Sequence, residues 1–433
     1  SQPQASSSRF FSELSTLLRT ARQPLWKSAY SRRGSFDSTP PKVGDTRQFK
    51  LRAGQSEVTI SAEALRVDNI AVFWIDTTTT PLASVDAATL KELGDNFSQV
   101  VVPRERAFFG KESDVDKDGL IHVLLSPRVN DDGAVAYVSP CDLVDAGKLA
   151  GCVTGNGMEL IYLTPPSDLK PPYNTPKAML ETIAHEFQHN IYFYRKFVLN
   201  QAEGTRENPY VTEGLSHLAQ DLTGYQAGNL YVQMATLQSI DMVAIPNVFD
   251  PKISSYIPQP GDGIMRGAGY FVLRYLYDRA GGDLIDNQGT IQDKGGIAWL
   301  HSFIDNPKTG LPSALDSAKL SYEDLVDGFW TTMALSNRVA GGKPVSDDPR
   351  YSFLPTTSDN LTGRQRGCDL FASFHASQMV GPKTQELKDA DGKLRPGGAE
   401  LLVAKVPSGN ERFEVSFQVD PALKAKLRII RVR

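Results

Sequence analysis

Histidine and cysteine are scarce in this chain, with six and three residues respectively among 433. Three cysteines exclude a disulfide-dense scaffold, and so few imidazoles make any closely spaced pair conspicuous. Long apolar runs are missing as well: AVFWI (71–75) and LIHVLL (120–125) are strand-sized, far below the ~20 residues of a membrane-spanning helix. Positive charge is not in excess, since 46 Lys and Arg against 50 Asp and Glu leave a net charge of −4. That balance offers no basic footprint for nucleic acid or an anionic membrane. There is no G-x-S-x-G nucleophile elbow, no P-loop and no repeat of fixed period. What remains is 40 % apolar and 22 % charged, an ordinary globular composition long enough for two or three domains.

Against that background the stretch 175–200, TPKAMLETIAHEFQHNIYFYRKFVLN, stands out because it holds two of the six histidines. Thr175 is a good N-cap and Pro176 fits the first helical position. Ala178, Met179, Leu180, Ile183 and Ala184 form an apolar stripe at helical spacing. On a helix His185 and His189 stack on one face, so both imidazoles reach one tetrahedral ion with Glu186 beside it. This HExxH pair still needs a third protein ligand, and Glu213 in the helical pattern 211–221 is the candidate. Glu213, His217 and Asp221 follow at i, i+4 and i+8, near one face of that second helix. His217 has three readings: a hydrogen-bond donor behind Glu213 or to substrate, a partner in proton handling, or a structural histidine. Asp221 is either the carboxylate that orients a zinc histidine or a solvated residue at the helix end.

AHEFQHNI (184–191), TEGLSHLAQD (212–221) and GAGYFVLRYLYDR (267–279) resemble the hyicolysin-type neutral metalloproteases, secreted bacterial zinc peptidases of the gluzincin group. FGKESDVDKDGLIHVLL (109–125) and GMELIYL (157–163) are similar to what precedes the active helix in that family, so the likeness covers about residues 100–335. The resemblance implies zinc endopeptidase activity on peptide or protein substrates, with His185, His189 and Glu213 as ligands and Glu186 as general base. It also implies a small twisted sheet over the zinc helix, whose edge strand binds extended substrate, and a secreted, cell-surface or periplasmic location in a bacterial setting. The 23-residue spacer from 190 through 212 is longer than in the best-known gluzincins, which a loop can absorb while the two helices keep their places.

The expected fold class is α+β, with a mostly helical second half and β-rich additions at both ends. Residues 1–45 read as a flexible leader: a linker behind a signal peptide or lipid anchor, simple disorder, or part of a pro-segment. A small β unit is expected over 46–80, with strands near 46–52, 57–66 and 69–76. The catalytic domain is expected over 81–340, divided into a sheet subdomain (81–174) and a helical subdomain (175–340). The first of these opens with a helix over 83–96 and continues with strands at 119–126, 134–138 and 159–163. Residues 341–433 read as a C-terminal β-rich module, from alternation at 401–406, 412–419 and 427–432.

Four smaller features complete the reading. Asp114, Asp116, Asp118 and Gly119 copy the first half of a calcium loop, but position twelve is Leu125 rather than a bidentate Glu. A complete EF-hand is thus excluded, which leaves a partial calcium site or an acidic solvated turn. Gly157-Met158-Glu159 matches part of the amine-gripping motif of zinc aminopeptidases, an alternative activity in which Glu159 would hold a free N-terminus. Tyr256 and Tyr270 are phenols able to stabilise an oxyanion, or simply buried aromatics. Cys141 and Cys152 are placed for a bridge or remain free buried thiols, and Cys368 is left over. A surface-binding protein that keeps the zinc site without catalysis is the non-enzymatic alternative.

Overall fold

The computed structural model describes residues 39–430, apart from 54–55, 80–81, 145–151, 153–154, 203–206, 227–228, 247–261, 372, 375–376, 379–380, 389–393, 405–408, 410–413 and 421–424. Most of the leader expected over 1–45 lies outside the described residues, as does Tyr256.

Six strands form one mixed sheet: β1 (Thr46–Ala53), β2 (Ser56–Val67), β3 (Ala71–Asp76), β4 (Ile121–Leu125), β5 (Ala136–Val138) and β6 (Leu160–Leu163), in the order β1-β2-β3-β4-β6-β5. The first three pair antiparallel, β3, β4 and β6 run parallel, and β5 returns antiparallel at the edge. The strands foreseen over 46–80 therefore share one hydrogen-bonded sheet with those of 121–163, because β3 pairs with β4. The boundary placed at residue 80 falls inside that sheet. The central strands are buried on both faces, which is why β3, β4 and β6 read as continuous apolar runs instead of alternating. Phe73, Ile75, Val123 and Ile161 pack into the main core with the helices. Trp74, Leu124 and Tyr162 belong to a smaller core with Phe49 and Ile60 from β1 and β2.

Between β3 and β4 lie α1 (Ala87–Asn96), capped by Asp86 accepting from the amides of Ala88 and Thr89, and α2 (Val102–Phe109). The second half is helical, as expected: α3 (Pro176–Phe193), α4 (Pro209–Thr223), α5 (Asn229–Gln238), α6 (Asp262–Arg279), α7 (Gly296–Asp305), α8 (Gly310–Ala318) and α9 (Tyr322–Leu335). The α+β class is thus a mixed sheet followed by a helical region. Cys141 and Cys152 are disulfide-bonded, and Cys368 is free and buried. Beyond α9 the β character takes the form of two- and three-residue ladders such as Gln385–Glu386 with Leu402–Val403. The described parts of the alternating segments 412–419 and 427–432 form no strand. Their apolar positions meet no second layer, leaving Phe417 and Leu427 each 47 % exposed and Ile429 74 % exposed.

Candidate metal centre

The helix carrying HExxH starts as the sequence dictates, with Thr175 Oγ1 accepting from the amide of Ala178 and Pro176 in the first turn. Apolar residues of α3 bury its first turns against α1 and the sheet, which places His185, Glu186 and His189 in the interior at mid-helix. α4 begins at Asn208, whose side chain accepts from the amide of Tyr210, and ends at Gly224 in the left-handed conformation. Glu213 lies in its second turn. The next residue, Gly214, explains how α6 approaches so closely: a Cβ there would meet the backbone of Gly269 at 2.5–2.9 Å. That close crossing brings Arg266 of α6 into an ion pair with Glu213.

Four donors converge. His185 Nε2 lies 3.4 Å from Glu213 Oε2, and His189 Nε2 lies 3.4 Å from Glu213 Oε1. His185, Glu213 and His217 each offer a ligand atom within 4.8 Å of the others. Ring planes are turned edge to face, with the His185 centroid 5.0 Å from that of His189 and 4.9 Å from that of His217. The helix pair thus brings together every histidine and the glutamate singled out in the sequence. It also sets His217 among the possible ligand atoms, a place the sequence reading had not given it. Glu213 and His217 repeat, at i and i+4, the spacing of His185 and His189, and that repeat was the available signal.

His185 and His217 present their outer nitrogens as lone pairs. His217 Nδ1 is 2.7 Å from Asn229 Oδ1, and Asn229 Nδ2 donates to the His217 carbonyl at 2.8 Å, which fixes the amide orientation. The His217 proton therefore sits on Nδ1. His185 Nδ1 faces Gln220 Oε1 at 3.3 Å, and Ser216 Oγ, whose own proton goes to Gln188 Oε1, lies 3.1 Å from His189 Nδ1 and 3.3 Å from its Nε2. The Nε2 atoms of His185 and His217 are buried with no hydrogen-bond partner. Lone pairs aimed at a buried carboxylate repel unless a cation lies among them, so the donor set fits a metal ion.

Electrostatics agree. Burial works against the Glu213 carboxylate, but the Arg266 guanidinium beside it holds it well below the usual carboxylate range. Burial, reinforced by His185 and Arg266, pushes His217 down to about 3, so its ring is neutral. Glu186 is 1 % exposed beside His185. His189 and Glu213 have no exposed surface, while His185 and His217 keep 6 and 7 %, so the cluster meets solvent on the His185–His217 side.

Other expected positions fall elsewhere. Asp221 touches no imidazole: Oδ2 accepts from Tyr270 Oη and Arg274 Nη1, each at 2.9 Å, and Oδ1 accepts from the amide of Gly367 at 2.7 Å. The reason is helical phase, since seven residues after Glu213 return to within about 20° of it and eight overshoot by about 80°. Gln220, not Asp221, therefore reaches His185. Tyr270 is committed to Asp221. Glu159 is fully buried and accepts from Ser113 Oγ and from the amide of Val115 at 3.1 Å, so it is tied to the loop before β4 and unavailable to a substrate amine. The acidic turn does gather carboxylates, with Asp114, Asp116 and Glu159 in one set and Asp116, Asp118 and His122 in another.

No family model matches the chain. Over 176 residues it is 27 % identical to the neutral metalloprotease ShpI of Staphylococcus hyicus, an alignment covering 37 % of this chain and 36 % of that protein. The chain thus spans little more than a third of the length of the curated relative it matches. This is distant similarity to a metalloprotease, joined to a buried His-Glu-His cluster consistent with a zinc site.

Proposed function

We propose that the chain is a zinc-dependent metallopeptidase cleaving internal peptide bonds, with His185, His189 and Glu213 as ligands and Glu186 as general base. The observation that carries this reading is the convergence of buried imidazole lone pairs on Glu213 from two packed helices. Bound zinc would supply Lewis acidity, making water a usable nucleophile near neutral pH and drawing charge from the scissile carbonyl. Gln220 orients the imidazole of His185 and holds its proton on Nδ1, and the Ser216 hydroxyl sits against the ring of His189. Glu186 takes the proton of the attacking water and hands it to the departing amine as the C–N bond breaks. His217, on the side open to solvent, accepts a hydrogen bond through Nε2 from water or substrate, since its proton is held on Nδ1 by Asn229. An extended substrate strand would lie along β5, the sheet edge packed beside α3.

A free-terminus activity has no support at Glu159, which is fully buried and closed to a peptide's terminus, so an endopeptidase is preferred over an aminopeptidase. Action outside the cytoplasm is consistent with the Cys141–Cys152 bridge. Among the described residues no helix is long and apolar enough to cross a membrane.

The test is Glu186→Gln in the full chain, assayed on a quenched internal peptide with zinc content measured alongside. One zinc per chain with turnover reduced at least ~10³-fold is expected. Wild-type turnover with zinc retained would sink the mechanism.

A further inference from the structure

The acidic turn between α2 and β4 takes no part in the hydrolysis proposed above, yet it holds a buried carboxylate with no hydrogen-bond partner among the described residues. Asp116 is 2 % exposed, and neither of its carboxylate oxygens accepts a hydrogen bond. A carboxylate withdrawn from water without donors costs several kcal/mol, so some positive group must face it. The nearest candidate is His122 Nε2, 3.5 Å from Asp116 Oδ2 and 3.1 Å from Asp118 Oδ2.

His122 cannot supply that charge. Burial works against an imidazolium there and the two carboxylates, which outweigh it, raise His122 above its ordinary value, but the other ring nitrogen decides the matter. Trp74 Nε1, which can only donate, lies 3.1 Å from His122 Nδ1, and the two ring planes are within 10° of each other. A proton on Nδ1 would set N–H against N–H, so Nδ1 is the acceptor and the ring is neutral. Its single proton sits on Nε2 and goes to the nearer oxygen, that of Asp118. Asp116 is left facing Asp114 and Glu159, whose ligand atoms lie within 4.8 Å of its own and of each other.

The same tautomer identifies the ion. With Nε2 protonated, His122 is no ligand, and the donors that remain are all oxygens. Soft and borderline transition metals prefer nitrogen or sulfur, whereas several carboxylates in an irregular turn suit calcium. The missing twelfth-position glutamate is also accounted for. Leu125 belongs to the core of β4, and Glu159, arriving from the start of the neighbouring strand β6, takes the place of a late loop carboxylate.

We propose that Asp114, Asp116 and Glu159 bind one calcium ion, tying the turn before β4 to the start of β6. This site is independent of the zinc centre and of the peptidase reading.

The experiment uses the full chain, stripped by chelator and given one equivalent of zinc, then titrated with calcium chloride by calorimetry while thermal unfolding is followed in parallel. One calcium per chain is expected, with a Kd of about 10⁻⁵–10⁻³ M and a Tm that rises with calcium. Asp116→Asn should weaken calcium at least ~100-fold. It should also unfold no lower than calcium-free wild type, because it removes an uncompensated buried charge; lost binding is then not lost folding. Glu159→Gln should weaken calcium at least ~10-fold, which separates this ligand set from the one containing His122. Absence of heat and of any Tm shift at millimolar calcium would overturn the proposal. So would wild-type affinity in Asp116→Asn or Glu159→Gln, or tighter binding of magnesium or of a second zinc at the same residues.

Discussion

The helix pair α3–α4 and the turn before β4 both gather ionisable groups away from water, and they do so by opposite means. In the first, two regular helices present His185, His189, Glu213 and His217 at fixed i, i+4 spacing, and Arg266 crosses from α6 to meet the carboxylate. In the second, an irregular turn supplies Asp114 and Asp116, while the last carboxylate, Glu159, arrives from another strand. Helical periodicity spaces Ser216 and Gln220 one turn apart on α4, matching the spacing of His189 and His185 on the facing helix. A turn has no such period, and its donors are completed only by what the sheet brings alongside. The difference in donors, imidazoles with one carboxylate against carboxylates alone, separates a borderline metal from a hard one.

The sharpest way to break that comparison is to remove one donor from each set and measure both metals. His185→Ala or Glu213→Ala should lose zinc and reduce peptide hydrolysis by at least ~10³-fold, with calcium binding unaltered. Asp116→Asn should leave zinc content and turnover at 25 °C unchanged. Loss of both metals from either variant would show one coupled site instead of two.

A buried charge set that needs no ion provides the control. Arg274 lies between Asp221 and Asp278, so two carboxylates share one guanidinium. Burial, only partly offset by Arg274, pushes Asp278 up to about 6 from an ordinary 3.8. The folded state therefore holds this proton more tightly than the unfolded chain. The resulting stabilisation is fully present below about pH 4 and lost as pH rises through about 6, at most about 3 kcal/mol. Asp278→Asn should remove this slope from urea-unfolding free energies between pH 4 and 6; an unchanged slope would mean that Asp278 is ionised throughout.

Helix approach can be tested separately from ligand identity. Gly214→Ala places a methyl against the backbone of Gly269 and should cost about 1–3 kcal/mol by forcing α4 and α6 apart. Thermal unfolding would report it, and an unchanged Tm would show that the crossing yields freely.

The smallest effect expected is at His217. His217→Ala should keep one zinc and lower kcat by about 10-fold if the ring serves water or substrate. Zinc lost from His217→Ala but retained in His189→Ala would instead make His185, Glu213 and His217 the ligand trio.

Much of this was legible in the chain where short-range periodicity carries the information. The capped helix from Thr175, the apolar strands at 71–76 and 121–125, and the donor spacing of both helices follow from residues a few positions apart. Helical phase misled at Asp221, where eight residues seemed close enough to one face and seven were needed. The join of the first three strands to the rest of the sheet was hidden for another reason, since pairing of β3 with β4 joins segments about 50 residues apart and leaves no local mark beyond continuous hydrophobicity.

The sequence alone determined which residue types stand ready to hold an ion and that a helix aligns two of them, because side-chain chemistry and a 3.6-residue period are local properties. Only the tertiary structure decided that Glu213 meets those imidazoles, that Gly214 admits α6 with Arg266, and that Glu159 joins the acidic turn. Each of those depends on which surfaces pack together, and distant segments meet through burial of apolar faces rather than through any spacing written along the chain.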